Sequence, residues 1–227
     1  MKLLILLLLT TPFVCCSQSM TKKEITNYLI KFQPLGNPDS LLNGMVEKDG
    51  NLNLEIKNCI SYFKSSNIDT FGFFNTYSPG FTSTNSCFTG VMKSNLFLFW
   101  ISNDKFYVQQ FTHSCKSEKM QIEKLYGLNF FKANFFSIDS ERIFPVIYSA
   151  KLDINNIKFD GEIIMHEKKY VIYCQAKENK IFLSFSQSDI ENQKGLFYLD
   201  NISTSHFHLY KIMQAEANIW KEIIPIR

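Results

Sequence analysis

The chain has 227 residues, of which 45% are hydrophobic, 15% aromatic and 20% charged, with a formal net charge of +3. Its length allows a sizeable core, and its composition excludes intrinsically disordered, collagen-like and low-complexity proteins. Only Arg142 and Arg227 among the 24 basic residues are Arg, and the basic residues are scattered among 21 acidic ones. Because Arg dominates phosphate recognition, this balance predicts no nucleic-acid partner.

The N-terminus has the pattern of a secretory signal peptide. Lys2 gives a positive start, residues 3–9 are all apolar, and polar residues follow from Ser17. A membrane span requires about 20 apolar residues, and this run is much shorter. We therefore predict a signal peptide over residues 1–17, cleaved before Gln18, and no transmembrane span in the mature chain.

Two alternatives concern how this segment is processed. Cleavage before Met20 would also leave small residues at the required positions. Acylation of Cys15 or Cys16 would make the protein a lipoprotein, although Phe13-Val14 departs from the usual bacterial lipobox. The expected location is accordingly exported: periplasmic, secreted or lipid-anchored at the cell envelope.

The mature chain begins with a predicted amphipathic helix over residues 21–32. Thr21 and Glu24 have the spacing of a capping box, in which each side chain accepts a hydrogen bond from an unpaired backbone N–H. Apolar residues at helical spacing follow: Ile25, Tyr28, Leu29 and Phe32. Pro34 then ends the helix.

A second helix is predicted over residues 54–64, where Ile56, Cys59, Ile60 and Phe63 keep helical spacing. Alternating apolar residues from Leu52 make a strand the alternative. Residues 75–90 are rich in Tyr, Ser, Pro, Gly, Thr and Asn, and are predicted as a long surface loop anchored at Cys87.

The pattern then changes to strands. Residues 96–101 are continuously apolar, as in a strand covered on both faces, and residues 105–112 return as its hairpin partner. A short helix is predicted over 117–127. Four further strands are predicted over 144–150, 159–165, 169–176 and 180–186. Short turns between the last three predict an antiparallel meander.

A C-terminal amphipathic helix is predicted from the recurrence of Leu209, Met213, Glu216, Trp220 and Ile223 every three or four residues. Ser205 can cap its start and Pro225 ends it. Together these elements predict an α+β fold. It consists of an antiparallel sheet of about six strands, an N-terminal helix pair and the C-terminal helix, in a single domain over residues 18–227.

Four Cys remain after the predicted cleavage, and an even number in an exported chain predicts two disulfides. We expect Cys87–Cys115, which would close the base of the predicted hairpin, and Cys59–Cys174. Four buried free thiols are the alternative. The absence of a C-x-x-C spacing disfavours a zinc or redox site.

Motifs of common enzyme classes are absent: the chain contains no P-loop, dinucleotide-binding turn, H-E-x-x-H or G-x-S-x-G sequence. His206 and His208 begin the C-terminal helix, where positions two apart diverge by about 200°, which disfavours a metal site. His166 is expected to be exposed at a hairpin tip. No cofactor or metal is predicted.

Catalysis by scattered residues is a second hypothesis. Asp139, Glu141 and Asp160 are the acidic residues nearest predicted strands, and paired carboxylates hydrolyse glycosides. His113 lies two residues before Cys115, but a disulfide there would remove the thiolate. We interpret the carboxylates as solvated turn residues.

Aromatic residues suggest a sugar-binding surface, with Trp100, Tyr107, Tyr126 and Tyr170 as candidates. The 22 Phe favour core packing instead, because Phe cannot hydrogen-bond a sugar and Phe97 and Phe99 lie within an apolar strand.

The preferred hypothesis is an exported, non-catalytic binding or interaction module at the cell envelope or outside the cell, because loops on a rigid scaffold commonly carry contacts. The alternative is a secreted hydrolase that uses carboxylate or His chemistry. The sequence specifies neither the envelope or extracellular ligand nor the oligomeric state.

Overall fold

The computed structural model describes residues 18–32, 36–48, 50–79, 92–112, 116–153, 156–161 and 167–223. The helices are α1 (Lys22–Phe32), α2 (Pro38–Lys48), α3 (Gly50–Ser65), α4 (Tyr126–Ser140), α5 (Gln187–Glu191), α6 (Tyr198–Ser203) and α7 (Ser205–Ile223). The strands are β1 (Gln18–Ser19), β2 (Thr70–Pro79), β3 (Met92–Ser102), β4 (Lys105–Thr112), β5 (Met120–Ile122), β6 (Ser149–Asp153), β7 (Asn156–Asp160), β8 (Lys169–Ala176) and β9 (Asn179–Ser186). The fold is α+β, as predicted.

The chain divides into two compact units, and the smaller comprises Met1–Pro34 and Ile147–Glu162. Its described part holds helix α1 and an antiparallel sheet in the order β1-β6-β7. The predicted capping box of α1 is present: the N–H of Thr21 donates to Glu24 Oε2 (2.7 Å), and that of Glu24 donates to Thr21 Oγ1 (3.3 Å). The helix therefore begins where the sequence indicates.

The larger unit, Leu35–Val146 with Ile163–Arg227, is built on a six-stranded sheet in the order β5-β4-β3-β2-β8-β9. Every pairing in it is antiparallel. The prediction of an antiparallel sheet of about six strands is confirmed. Strand β2 lies between β3 and β8, so that Phe73 is paired with Leu98 on one side and Tyr173 on the other.

Helices cover both faces of this sheet. On one face, Phe73, Leu98 and Tyr173 pack with Phe63 of α3 and Leu42 of α2. The opposite face carries a second cluster, in which Phe74, Phe97, Phe99 and Ile172 pack with Phe131 of α4 and Met213 of α7. Two buried faces require strands that are apolar on both sides, which explains the continuous apolar run of residues 96–101.

Several predicted elements are confirmed almost residue for residue: the helix at 21–32, the strands at 105–112, 169–176 and 180–186, and the C-terminal helix. The helix predicted over 54–64 is also present, within the longer α3. Helix α2 was not predicted. The first part of the loop predicted over 75–90 belongs to β2, and residues 80–91, with Cys87, lie outside the described residues.

Three predictions are wrong in whole or in part. Residues 117–127 form strand β5 and the start of α4 instead of a short helix. The strand predicted over 144–150 is wrong for residues 144–148, where two backbone N–H groups bond to side chains: the N–H of Phe144 donates to Asn201 Oδ1 (2.8 Å) and that of Val146 to Asp189 Oδ1 (3.0 Å). Residues 149 and 150 begin strand β6. Of the predicted meander, the antiparallel pairing of its last two strands is confirmed by β8 and β9. The pairing of its first strand is wrong, because β7 pairs with β6 and β8 pairs with β2.

One polar side chain lies in the core without a partner among the described residues. Gln110 is fully buried on β4, and neither its Oε1 nor its Nε2 has a hydrogen bond. Its neighbour Gln109, in contrast, donates from Nε2 to Ser117 O (2.8 Å). A buried amide without partners lowers stability because its hydration is lost without replacement.

We therefore expect Gln110→Leu to raise the free energy of unfolding by about 1–2 kcal/mol, because it removes the unpaired amide at similar volume. The matched change Gln109→Leu removes a formed hydrogen bond and should lower that free energy by about 1 kcal/mol. Urea denaturation of both variants measures the two effects. Equal destabilisation by both variants would contradict the prediction.

Candidate functional site

The candidate hydrolase residues differ in exposure and in hydrogen bonding. Glu141 accepts hydrogen bonds from Ser137 Oγ (2.7 Å) and from the backbone N–H of Ser205, at the start of α7. Asp139 is exposed at the end of α4. Asp160 is exposed on β7, in the smaller compact unit, and His113 lies outside the described residues. Glu141 therefore has a structural partner at a helix start, where a negative charge is stabilising.

The two histidines of α7 have different environments. His206 is buried, and its Nε2 lies 2.5 Å from the carbonyl oxygen of Ile138. Burial lowers the pKa of His206, so the ring is neutral and donates to this carbonyl. His208 is exposed. The described residues contain no group of three or more His, Cys, Asp or Glu placed to hold a metal ion.

The predicted Cys59–Cys174 disulfide is wrong. Cys174 is buried in the cluster under α4 and α7, where its thiol lies 4.0 Å from Met213 Sδ. Cys59 packs against the cluster under α2 and α3, on the opposite face of the sheet. Burial raises the pKa of Cys174, which keeps its thiol protonated. Cys15, Cys16, Cys87 and Cys115 lie outside the described residues, so their lipidation and disulfide remain predictions.

The aromatic candidates divide between core and surface. Trp100 is buried and stacks on the half-buried Tyr107 with ring centroids 5.4 Å apart. Tyr170 is buried as well, close to Tyr210. Tyr126 is exposed at the start of α4. Core packing is therefore the role of Trp100 and Tyr170, as preferred from the sequence.

A polar cavity of about 270 Å³ lies between helix α7 and one end of the central sheet; we call it the lysine cleft. Its sheet side is lined by Phe74, Thr76 and Ser78 of β2 and by Asn95 and Phe97 of β3. Its other side is lined by Lys168, just before β8, and by Gln214, Ala217, Asn218 and Lys221 of α7. Thr76 and Asn95 are directly paired across the strands. The cleft therefore combines two ammonium groups with amides and hydroxyls above an aromatic floor.

A second cavity, of about 550 Å³, adjoins the cleft and shares Ser78 and Lys168 with it. Glu167 and Glu191 lie in its wall, and both already accept hydrogen bonds. Glu167 accepts from the N–H of Ser188, and Glu191 from Gln187 Nε2 (2.6 Å). Among the lining residues of the two cavities, the acidic groups thus belong to the second cavity and not to the cleft.

Both burial and a neighbouring positive charge act on Lys168 in the lysine cleft. Burial and the positive charge of Lys221 lower the pKa of Lys168, and Glu191 offsets this only in part. Lys168 Nζ lies 5.3 Å from the centroid of the Tyr170 ring. Within the described ranges, neither Lys168 nor Lys221 forms an ion pair. The lining of the cleft thus carries two ammonium groups and no carboxylate.

The sequence alone did not identify this cleft. Its residues come from β2, β3, α7 and the segment just before β8, and the sequence predicts residues 75–79 of β2 as part of a loop. Lys168 lies in the short turn between the strands predicted over 159–165 and 169–176. The only local cue is the pair Gln214 and Asn218 followed by Lys221, which places three polar residues on one side of α7.

Comparisons with protein-family models, with curated proteins and with solved structures find no match for this chain. The described helices include none that combines the length and apolar character needed to cross a membrane.

Proposed function

We propose that this protein is an exported, non-catalytic binding module that acts at the cell envelope or outside the cell, and that its ligand contacts the lysine cleft. The observation that carries this proposal is the convergence of two lysines, three amides and two hydroxyls on one cavity. A concave site with a few convergent polar groups is the usual form of a small-molecule site. Export is supported by the signal-peptide pattern of residues 1–17.

The chemistry of the lining supports binding over reaction. Lys, Asn, Gln, Thr and Ser side chains orient a ligand through hydrogen bonds and charge. Hydrolysis would require a nucleophile or an activated water beside a general base. Among the lining residues of the cleft, no carboxylate or His is present to act as that base. The alternative of a secreted hydrolase has no comparable arrangement among the described residues to support it.

Blocking the cleft tests the proposal. Asn218 is exposed on α7 and lines the cavity, so Asn218→Trp should fill it without disturbing the core. Ala215 is exposed on the same helix and does not line the cavity, so Ala215→Trp is the matched control. Unfolding temperatures are measured with glucose, N-acetylglucosamine, glucuronate, glucose 6-phosphate and glutamate.

At least one of these probes should raise the Tm of the wild type and of Ala215→Trp, and should leave that of Asn218→Trp unchanged. A ligand at 100 times its Kd stabilises the folded state by about 2.7 kcal/mol, an effect that is easily measured. No shift with any probe, or an equal shift in all three proteins, would contradict the proposal.

A further inference from the structure

We infer that the lysine cleft binds a hydroxylated organic anion, with one negatively charged group held between Lys168 and Lys221. The inference rests on the proposed function and specifies the chemical class of its ligand. Sugar acids and sugar phosphates share this chemistry: a carboxylate or phosphate on a body that carries hydroxyl groups.

The first argument is the charge of the lining. Lys168 and Lys221 border one cavity, whose lining includes no acidic residue. Neither ammonium forms an ion pair with the described residues. Two like charges that share a partly desolvated space repel each other. An anion bound between them attracts both ammonium groups, and these two attractions offset the repulsion.

The second argument is the chemistry of the remaining groups. Asn95 and Asn218 carry amides that both donate and accept hydrogen bonds, and Thr76 and Ser78 carry hydroxyls that do the same. Such groups match ligand hydroxyls, which also donate and accept. Phe74 and Phe97 give the cleft an apolar floor, against which the C–H groups of a sugar ring can pack.

The third argument limits the ligand to one negatively charged group. The cleft measures about 270 Å³, which is below the range of about 300–1,000 Å³ typical of drug-sized ligands. Beyond Lys168, the adjoining cavity is bordered by Glu167 and Glu191. These carboxylates repel a second negative group. A ligand that extends in this direction must therefore present neutral, hydrogen-bonding atoms there.

Calorimetric titration of the full-length mature protein with glucuronate, glucose 6-phosphate, inorganic phosphate and glucose tests the inference. We expect glucuronate or glucose 6-phosphate to bind more tightly than glucose and inorganic phosphate, and this binding to weaken as salt is added. The two sugar anions distinguish a carboxylate from a phosphate as the preferred group.

Charge removal supplies the decisive variants. Lys168→Gln and Lys221→Gln should each weaken binding of the anionic probe about tenfold, which corresponds to about 1.4 kcal/mol. Lys211→Gln is the matched control, because Lys211 is exposed on α7 and does not line the cleft. In the absence of ligand, the two cleft variants should keep or raise the Tm, since each removes one of two like charges.

The outcomes separate this inference from the proposed function. If glucose binds as tightly as the sugar anions and Asn218→Trp abolishes its binding, the anion inference is wrong and the binding function stands. Unchanged binding of the anionic probe in both Lys168→Gln and Lys221→Gln also overturns the inference alone. If no probe binds the wild type at all, the proposed function fails, and the inference fails with it.

Discussion

Glu216→Ala should lower the free energy of unfolding by about 3 kcal/mol, because it leaves two backbone N–H groups at the start of helix α4 without their buried carboxylate partner. Glu216 lies on α7 and is only 6% exposed. Its carboxylate accepts from the N–H of Tyr126 (2.5 Å) and of Gly127 (3.0 Å), at the first turn of α4. This carboxylate therefore joins the two helices that cover one face of the sheet.

Chemical denaturation measures this loss, with Glu123→Ala as the control. Glu123 is exposed, two residues before Leu125, and removal of a surface carboxylate should change the free energy of unfolding by less than about 0.5 kcal/mol. A loss for Glu216→Ala no larger than that of the control would contradict the assigned role.

The same carboxyl has a pH signature. Burial raises the pKa of Glu216 above its ordinary value of 4.5, and the two N–H groups offset this only in part. A raised folded-state pKa contributes stability that is fully present below the unfolded pKa and is lost as pH rises through the folded pKa. Between the two pKa values, the wild type should therefore lose more stability with rising pH than Glu216→Gln does.

Gly72→Ala should lower the free energy of unfolding by about 2 kcal/mol, because an added methyl group has no room in a close-packed sheet. A Cβ at Gly72 would lie 2.9 Å from the carbonyl oxygen of Tyr173 and 2.9 Å from Leu128 Cδ2. Tyr173 belongs to β8, which pairs with β2 along its whole length, so its carbonyl cannot move aside without loss of the pairing. This cost exceeds the gain of about 0.4–1 kcal/mol that Gly→Ala brings through the unfolded state.

Gly195→Ala is the comparison for this prediction. Its added Cβ would meet its nearest atom, the carbonyl oxygen of Asn192, at 3.2 Å in a surface turn. We expect a markedly smaller loss for Gly195→Ala than for Gly72→Ala when both are measured by urea denaturation. A larger loss of stability for Gly195→Ala than for Gly72→Ala would contradict the close packing of β2 against β8.

Elements with one clear periodicity could be predicted from the sequence. Helix α1 has its capping box and apolar stripe, and β8 and β9 have short charged turns at their ends. Strand β2 was missed because Gly72, Asn75 and Pro79 are residues typical of turns. In the folded chain, Gly72 allows close packing and Asn75 is buried. These are tertiary effects that no local pattern contains.

Helix α4 was missed for a related reason. Its apolar residues surround the helix: Phe131 is fully buried whereas Phe136 is 88% exposed. The backbone of Asn134 departs from helical geometry (φ −118°, ψ 19°), so the spacing of the apolar residues changes within the helix.

The lysine cleft could not be predicted either, because it forms only where β2, β3 and α7 meet in the folded chain. The predicted catalytic candidates were chosen by residue type, which says nothing about spatial convergence.

The position of β2 between β3 and β8 has a consequence for the order in which the protein can fold. Thr70 pairs with Ala176, so one edge of β2 stays open until more than 100 further residues have been made. Pairings this distant in sequence form slowly, and an open apolar strand edge is prone to aggregate. A nascent chain that ends before Lys169 therefore exposes the centre of its own sheet. Within the six-stranded sheet, β2 is thus the strand whose second edge waits longest for its partner.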